Sequence, residues 1–153
     1  DRVGPETVTP EAVALVRRCC GNDNLIVGAQ TGSDRLLRAL HRNHTVADAY
    51  RAAEAIVAGG LRPVVDLIFG LPGEEADDVA ATLRLMEDLV DMGAMLHTHT
   101  FMPLPGTPLE DAPPGRVDPV LHPLLDRLAS QGHQIGQWRK QEEIARRTVP
   151  GTA

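Results

Sequence analysis

Apolar positions along this chain form two kinds of pattern, short continuous runs and stretches spaced at three and four residues, and the two kinds alternate. The clearest run is Val64-Val65-Asp66-Leu67-Ile68-Phe69-Gly70, in which five of seven residues are apolar, and it predicts a strand covered on both faces. Leu25-Ile26-Val27-Gly28-Ala29-Gln30 predicts a buried strand before it, and Met95 to Met102 a third strand after it. The helical patterns lie between. Thr9-Pro10-Glu11 starts a helix with a hydroxyl N-cap and Pro at its first position, running to about Cys20. Thr31-Gly32-Ser33-Asp34 leads from the first strand into a helix with Leu36, Leu37 and Leu40 on one side. Thr45 and Asp48 make a capping-box-like start for a helix whose apolar side is expected to carry Val46, Ala49, Tyr50, Ala53, Ile56 and Val57, and Gly59-Gly60 stops it. Leu71-Pro72-Gly73 turns the central strand into a helix from about Glu74 to Met92.

Helices between successive strands imply parallel strands joined by right-handed crossovers, hence an α/β fold of repeated βα units. Such repeats build an open doubly wound sheet or a closed barrel, and in both the ligand site lies at the C-terminal ends of the strands. Seven of the twelve prolines fall between Pro103 and Pro123, which predicts a long loop over that rim. From about Leu124 the pattern returns to helix, interrupted near Gly132. Ile135, Trp138 and Ile144 are its expected apolar anchors, and Arg139, Lys140, Arg146 and Arg147 its solvated face.

The 153 residues fit one domain or a large part of one, and aromatics are only 3% of them, so the core is expected to be Ala, Val, Leu and Ile. A net charge of −6 with no basic block does not point to nucleic acid as a partner. The two cysteines, Cys19 and Cys20, are adjacent, a spacing that suits neither a disulfide framework nor the multi-ligand zinc and iron–sulfur patterns. No apolar run approaches the ~20 residues needed to span a bilayer and no leader pattern is present, so a cytoplasmic location with no membrane partner is expected.

Asp66 interrupts an apolar strand and needs a partner, because an isolated buried carboxylate costs several kcal/mol. It could pair within the fold or meet a ligand. With Gln30 on the preceding strand it offers what a ribose requires, an ionised acceptor and an amide that both gives and accepts. His97 and His99 lie at i and i+2 of a strand and point the same way. With Asp66 as third ligand they would suit a zinc-dependent hydrolase, and otherwise they are core or rim histidines. Leu71-Pro72-Gly73-Glu74 lacks the spacing and the Lys-Ser/Thr pair of a P-loop.

Four stretches in order and spacing, Gly28-Ala29-Gln30-Thr31-Gly32-Ser33-Asp34, Leu37 to Arg42, Asp66 to Glu74 and Pro105-Gly106-Thr107-Pro108, resemble the second half of a radical S-adenosylmethionine (SAM) barrel. The nearest branch holds the methylthiotransferases and oxygen-independent coproporphyrinogen oxidase. The resemblance covers roughly residues 5 to 110. It implies that residues 1–110 form about half of a TIM-like barrel, followed by a Pro-rich loop and helical tail over 111–153. It also implies a [4Fe-4S] cluster and reductive cleavage of SAM to a radical that abstracts a substrate hydrogen. Carried over by position, Gln30, Ser33 and Asp66 would contact SAM, Arg42 its carboxylate, and the backbone around Phe101 the adenine. The Trp138-centred tail resembles tails of proteins in which a cobalamin-binding domain precedes the radical domain, so cobalamin is a further possible cofactor.

The departures from the family pattern shape the expectation. The cluster motif C-x-x-x-C-x-x-C and the Gly-rich strand after it are absent, Thr31 stands for a common Ser, Glu75 for a common Thr, and Leu104 for a common Arg. The chain alone is therefore expected to be inactive. It reads as the C-terminal half of a longer enzyme, whose cluster half or a partner subunit would cover the open sheet edges; the alternative is a SAM-binding or assembly module without activity.

Overall fold

The computed structural model describes residues 3–148. Four strands, β1 (Asn24–Gln30), β2 (Arg62–Phe69), β3 (Met95–Thr100) and β4 (Gln134–Gly136), form one sheet in the order β1-β2-β3-β4, with every neighbouring pair parallel. The helices are α1 (Pro10–Cys19), α2 (Asp34–Ala39), α3 (Val46–Ala58), α4 (Ala76–Asp91), α5 (His122–Ser130) and α6 (Trp138–Thr148). Short 3-10 turns at Pro5–Thr7 and Pro119–Leu121 complete the described elements.

The starts of the helices follow their sequence signals. Thr9 accepts a hydrogen bond from the Ala12 N–H at 3.1 Å, with Pro10 opening α1. At α3 the Asp48 carboxylate accepts from the Thr45 N–H at 2.7 Å while the Thr45 hydroxyl accepts from the Asp48 N–H at 3.3 Å, the reciprocal pair expected from the spacing. Helix α4 begins at Ala76, and Asp78 accepts from the Glu75 N–H at 2.8 Å.

Parallel register sets two faces. Val27, Val65 and Leu96 lie side by side on the face that the helices cover, where Leu67, Phe69, Met86, Leu89 and Leu125 are all buried. Gly28, Asp66 and His97 are register partners on the opposite face. That face is less completely covered: in β3 the helix-side residues Leu96, Thr98 and Thr100 are buried, whereas Met95, His97 and His99 are half-buried. One-sided helices on an all-parallel sheet are the geometry of a partial barrel. On the outer edge of β1, Val3 adds a parallel bridge to Val27, with the Val3 N–H bonded to the Ile26 carbonyl and the Gly28 N–H to the Val3 carbonyl.

The expected helical tail differs in detail. The interruption near Gly132 is the turn into β4, which extends the sheet, and Val117, Leu121, Leu124 and Leu128 join the same core as β2 and β3. Trp138 is buried as expected, but Ile135 and Ile144 are exposed, 48% and 44%, and do not anchor the tail. The basic residues of α6 sit on a solvated face paired with acids: Arg139 with Asp126, Arg146 with Glu142, Arg147 with Glu143.

Candidate functional site

The C-terminal ends of β1, β2 and β3 gather the polar residues of the less covered face. Asp66 is fully buried there. The His97 Nδ1–H donates to Asp66 Oδ1 at 2.8 Å, and His99 Nε2 lies 3.9 Å from the same oxygen. The two imidazole rings meet edge-on with centroids 4.3 Å apart. One donor atom from each of Asp66, His97 and His99 falls within 4.8 Å of the others. The alternation of β3 puts both histidines on one side, and the β2–β3 register places His97 beside Asp66 and His99 beside Ile68.

Gln30 reaches the site through a bulge. Gly28 pairs with Asp66 and Gln30 with Leu67, leaving Ala29 as the extra residue, and Gln30 adopts a left-handed φ of 72°. This re-aims the end of β1. Gln30 Oε1 accepts from Arg42 Nη2 at 3.2 Å, and Arg42 follows His41, whose φ of 52° is also left-handed. Two such non-glycine residues on either side of one contact mark a place where the fold holds an uncommon backbone. Gln30 and Arg42 share a cavity of about 260 Å³ with Gly28 and His44. Arg42 also lines a larger cavity of about 570 Å³ with Ile68, His99, Phe101 and Leu109. His99 is common to that cavity and to the Asp66 cluster.

Phe101 packs with Leu36 and Leu71, its N–H bonded to the Phe69 carbonyl and its carbonyl to the Gly115 N–H, so the Pro-rich segment does fold back over the rim. Ser33 is placed differently from the other expected contacts. Its hydroxyl accepts from the Leu36 N–H at the start of α2 and donates to Asp78, which also pairs with Arg35. The Ser33 hydroxyl thereby caps α2 and ties its start to α4. Burial opposes the ionisation of Asp78, but the bonds from Arg35, Ser33 and the Glu75 N–H outweigh it and hold the carboxyl below its ordinary range. His44 is buried and bonds through Nε2 to the Ala29 carbonyl at 3.2 Å.

The Pro-Gly turn after β2 is held by Glu74, whose Oε2 accepts from the Gly70 N–H at 2.9 Å. Burial pushes the Glu74 carboxyl up to about 7, and nearby Asp78 and Asp118 add to the rise. Gly70 is required: its φ is +69°, and a Cβ there would lie 2.4 Å from the Arg116 nitrogen.

Three comparisons place this geometry. The Radical SAM superfamily model matches residues 3–86, more than half of the chain. This chain belongs to the radical SAM superfamily. A tRNA-2-methylthio-N(6)-dimethylallyladenosine synthase from Saccharophagus degradans is 36% identical over 133 residues, covering 84% of this chain and 27% of that protein. Coproporphyrinogen III oxidase of Escherichia coli has the same fold with a TM-score of 0.63 at 20% identity, covering 86% of this chain and 32% of the oxidase. A radical SAM methyltransferase from Kitasatospora setae, solved with cobalamin and a [4Fe-4S] cluster, has a TM-score of 0.60 at 21% identity over 71% of this chain and 21% of that one. The chain spans 20–27% of the length of the first curated relatives it matches.

Radical SAM proteins use SAM and a [4Fe-4S] cluster, and the two groups fit this chain unequally. Gln30, Arg42 and Asp66 offer an amide, a guanidinium and a carboxylate, groups that fit the polar parts of SAM, and Arg42 also lines the apolar cavity. The cluster does not fit. It needs a set of thiolates, and the two cysteines are adjacent and exposed at the end of α1, which leads into the N-terminal end of β1. Among the described residues no helix is long and apolar enough to cross a membrane.

Proposed function

We propose that this chain forms the SAM-binding strands of a radical SAM enzyme, with the cluster ligands supplied from outside these residues. The observation that carries the reading is the convergence at one rim of a buried carboxylate, a Gln–Arg pair and a 570 Å³ apolar cavity. Asp66 accepts from a ribose hydroxyl, and the bond is worth roughly 1.5–3 kcal/mol because the acceptor is charged. Gln30, re-aimed by the bulge and held by Arg42, takes a second polar group of the same ligand. The forked guanidinium of Arg42 suits the methionine carboxylate. The backbone from His99 to Met102 and the Phe101 side chain, on the wall of the apolar cavity, receive the adenine. When bound to the cluster, SAM supplies the radical that abstracts hydrogen from substrate. The role of this chain is to bind and orient it. Ser33 acts at a distance, by fixing the start of α2 and through it the segment that carries Arg42.

The test is calorimetric titration of the intact protein with S-adenosylhomocysteine. Asp66→Asn and Gln30→Ala are each expected to weaken binding tenfold or more, and unchanged affinity in both would remove the basis of the assignment. A second reading, a metal-dependent hydrolase, draws on the proximity of Asp66, His97 and His99. It requires stoichiometric zinc after metal-free purification, lost in a His97→Ala, His99→Ala double variant.

A further inference from the structure

His99 Nε2, in the cluster at Asp66, is a polar atom that the proposed contacts do not use. It is buried and, among the described residues, has no hydrogen-bond partner. Its protonation follows from its neighbours. The Thr100 N–H can only donate, and it donates to Gln141 Oε1 at 2.9 Å, which fixes the orientation of that amide. Gln141 therefore presents its NH2 to His99 Nδ1, at 3.4 Å, so Nδ1 accepts. In a neutral imidazole the proton then sits on Nε2. This N–H lies on the Asp66 side of the ring, its nitrogen 3.9 Å from Asp66 Oδ1, too far to bond it. Among the described residues, the polar groups against His99 include His97 from its own strand, Asp66 from β2 and Gln141 from α6. The same tautomer weakens a metal role, since a metal would need the Nε2 lone pair.

A donor and a carboxylate separated by just over one hydrogen-bond length suit a hydroxyl group, whose oxygen accepts while its hydrogen is given away. We propose that His99 is a further cofactor-contact residue, its Nε2–H donating to a ribose hydroxyl oxygen while the hydrogen of that hydroxyl goes to Asp66. His97 is then a positioning residue that holds the Asp66 carboxylate in plane, and Gln141 one that sets the His99 tautomer. The inference rests on the SAM-binding reading and adds to it a residue that selects for a ribose hydroxyl.

The experiment measures calorimetric affinity of the intact protein for S-adenosylhomocysteine and for its 2′-deoxy and 3′-deoxy forms. The wild-type protein is expected to prefer the ribose form over one of the deoxy forms. His99→Phe is expected to weaken the ribose form about tenfold, the size of one lost hydrogen bond, and to leave that deoxy form little affected. His99→Gln, which keeps a donor, is expected to recover part of the preference, and a selectivity ratio is insensitive to a general loss of folded protein. An unchanged ratio in His99→Phe, while Asp66→Asn still loses binding, would overturn the role of His99 and leave the SAM site standing. Retention of binding by Asp66→Asn would instead overturn the underlying reading and the inference with it. Stoichiometric zinc that disappears in His99→Phe would overturn the inference by giving Nε2 to a metal.

Discussion

Glu74 shows how one side chain couples the turn after β2 to pH. Its carboxyl is raised to about 7 from an ordinary value of 4.5, chiefly by burial. The folded chain therefore binds more protons than the unfolded chain between those values, and this contribution to stability is present at low pH and is lost as pH rises through 7. Glu74→Gln keeps an acceptor for the Gly70 N–H but cannot ionise. Its urea midpoint is expected to fall less between pH 5 and pH 8 than that of the wild type, and equal falls would show that Glu74 does not titrate in this window. At the neighbouring Gly70, a Cβ would meet the Arg116 backbone in a left-handed conformation, so Gly70→Ala is expected to cost more than about 1 kcal/mol in denaturant unfolding. The uneven visibility of the site in the sequence has the same residue-level origin. Asp66, Gln30 and Arg42 stand out as polar residues beside apolar runs, but the His97–Asp66 bond depends on β2–β3 register and the His99 tautomer on a helix forty residues away. Periodicity carries no information about either. Ser33 lies within a family-like stretch, yet its hydroxyl is spent on Leu36 and Asp78.

Among the elements, α4 is fastened most firmly at its start. Asp78 receives the Glu75 N–H within the helix, the Ser33 hydroxyl from the preceding loop and the Arg35 guanidinium from α2. Gly32 lies against the same helix, with its N–H on the Thr82 hydroxyl at 2.9 Å. Asp78→Ala removes the one charged group that these three partners share and is expected to lower stability by about 2–3 kcal/mol in urea, with Asp78→Asn losing less. The elements with strong signals, β1, β2, β3 and the capped helices, were legible because burial on one or both faces writes an apolar run or a 3.6-residue spacing into the chain. β4 was not. It has three residues, its central Ile135 is exposed, and Gly136 closes against Thr98, so it has no alternation to read. What holds it is pairing to β3, a long-range contact.

For the molecule as a whole, the parallel order β1-β2-β3-β4 with helices on one face leaves the other face to carry the site. Stability is expected to be graded across this sheet, since β2 and β3 are paired on both sides and β4 is short. Native-state hydrogen exchange should find the slowest amides in β2 and β3 and much faster ones in β4; equal protection in β4 would mean that the edge is covered by further structure. The partial barrel accounts for both findings from the comparisons, a match to the radical SAM family over residues 3–86 and coverage of only a fraction of each relative. The most direct test of the SAM-binding role is a crystal structure of the intact protein with S-adenosylhomocysteine. The expected result is a ribose within hydrogen-bond distance of Asp66 and Gln30, the carboxylate at Arg42 and the adenine against Phe101. A nucleoside bound elsewhere on the protein, out of reach of Asp66, would contradict it.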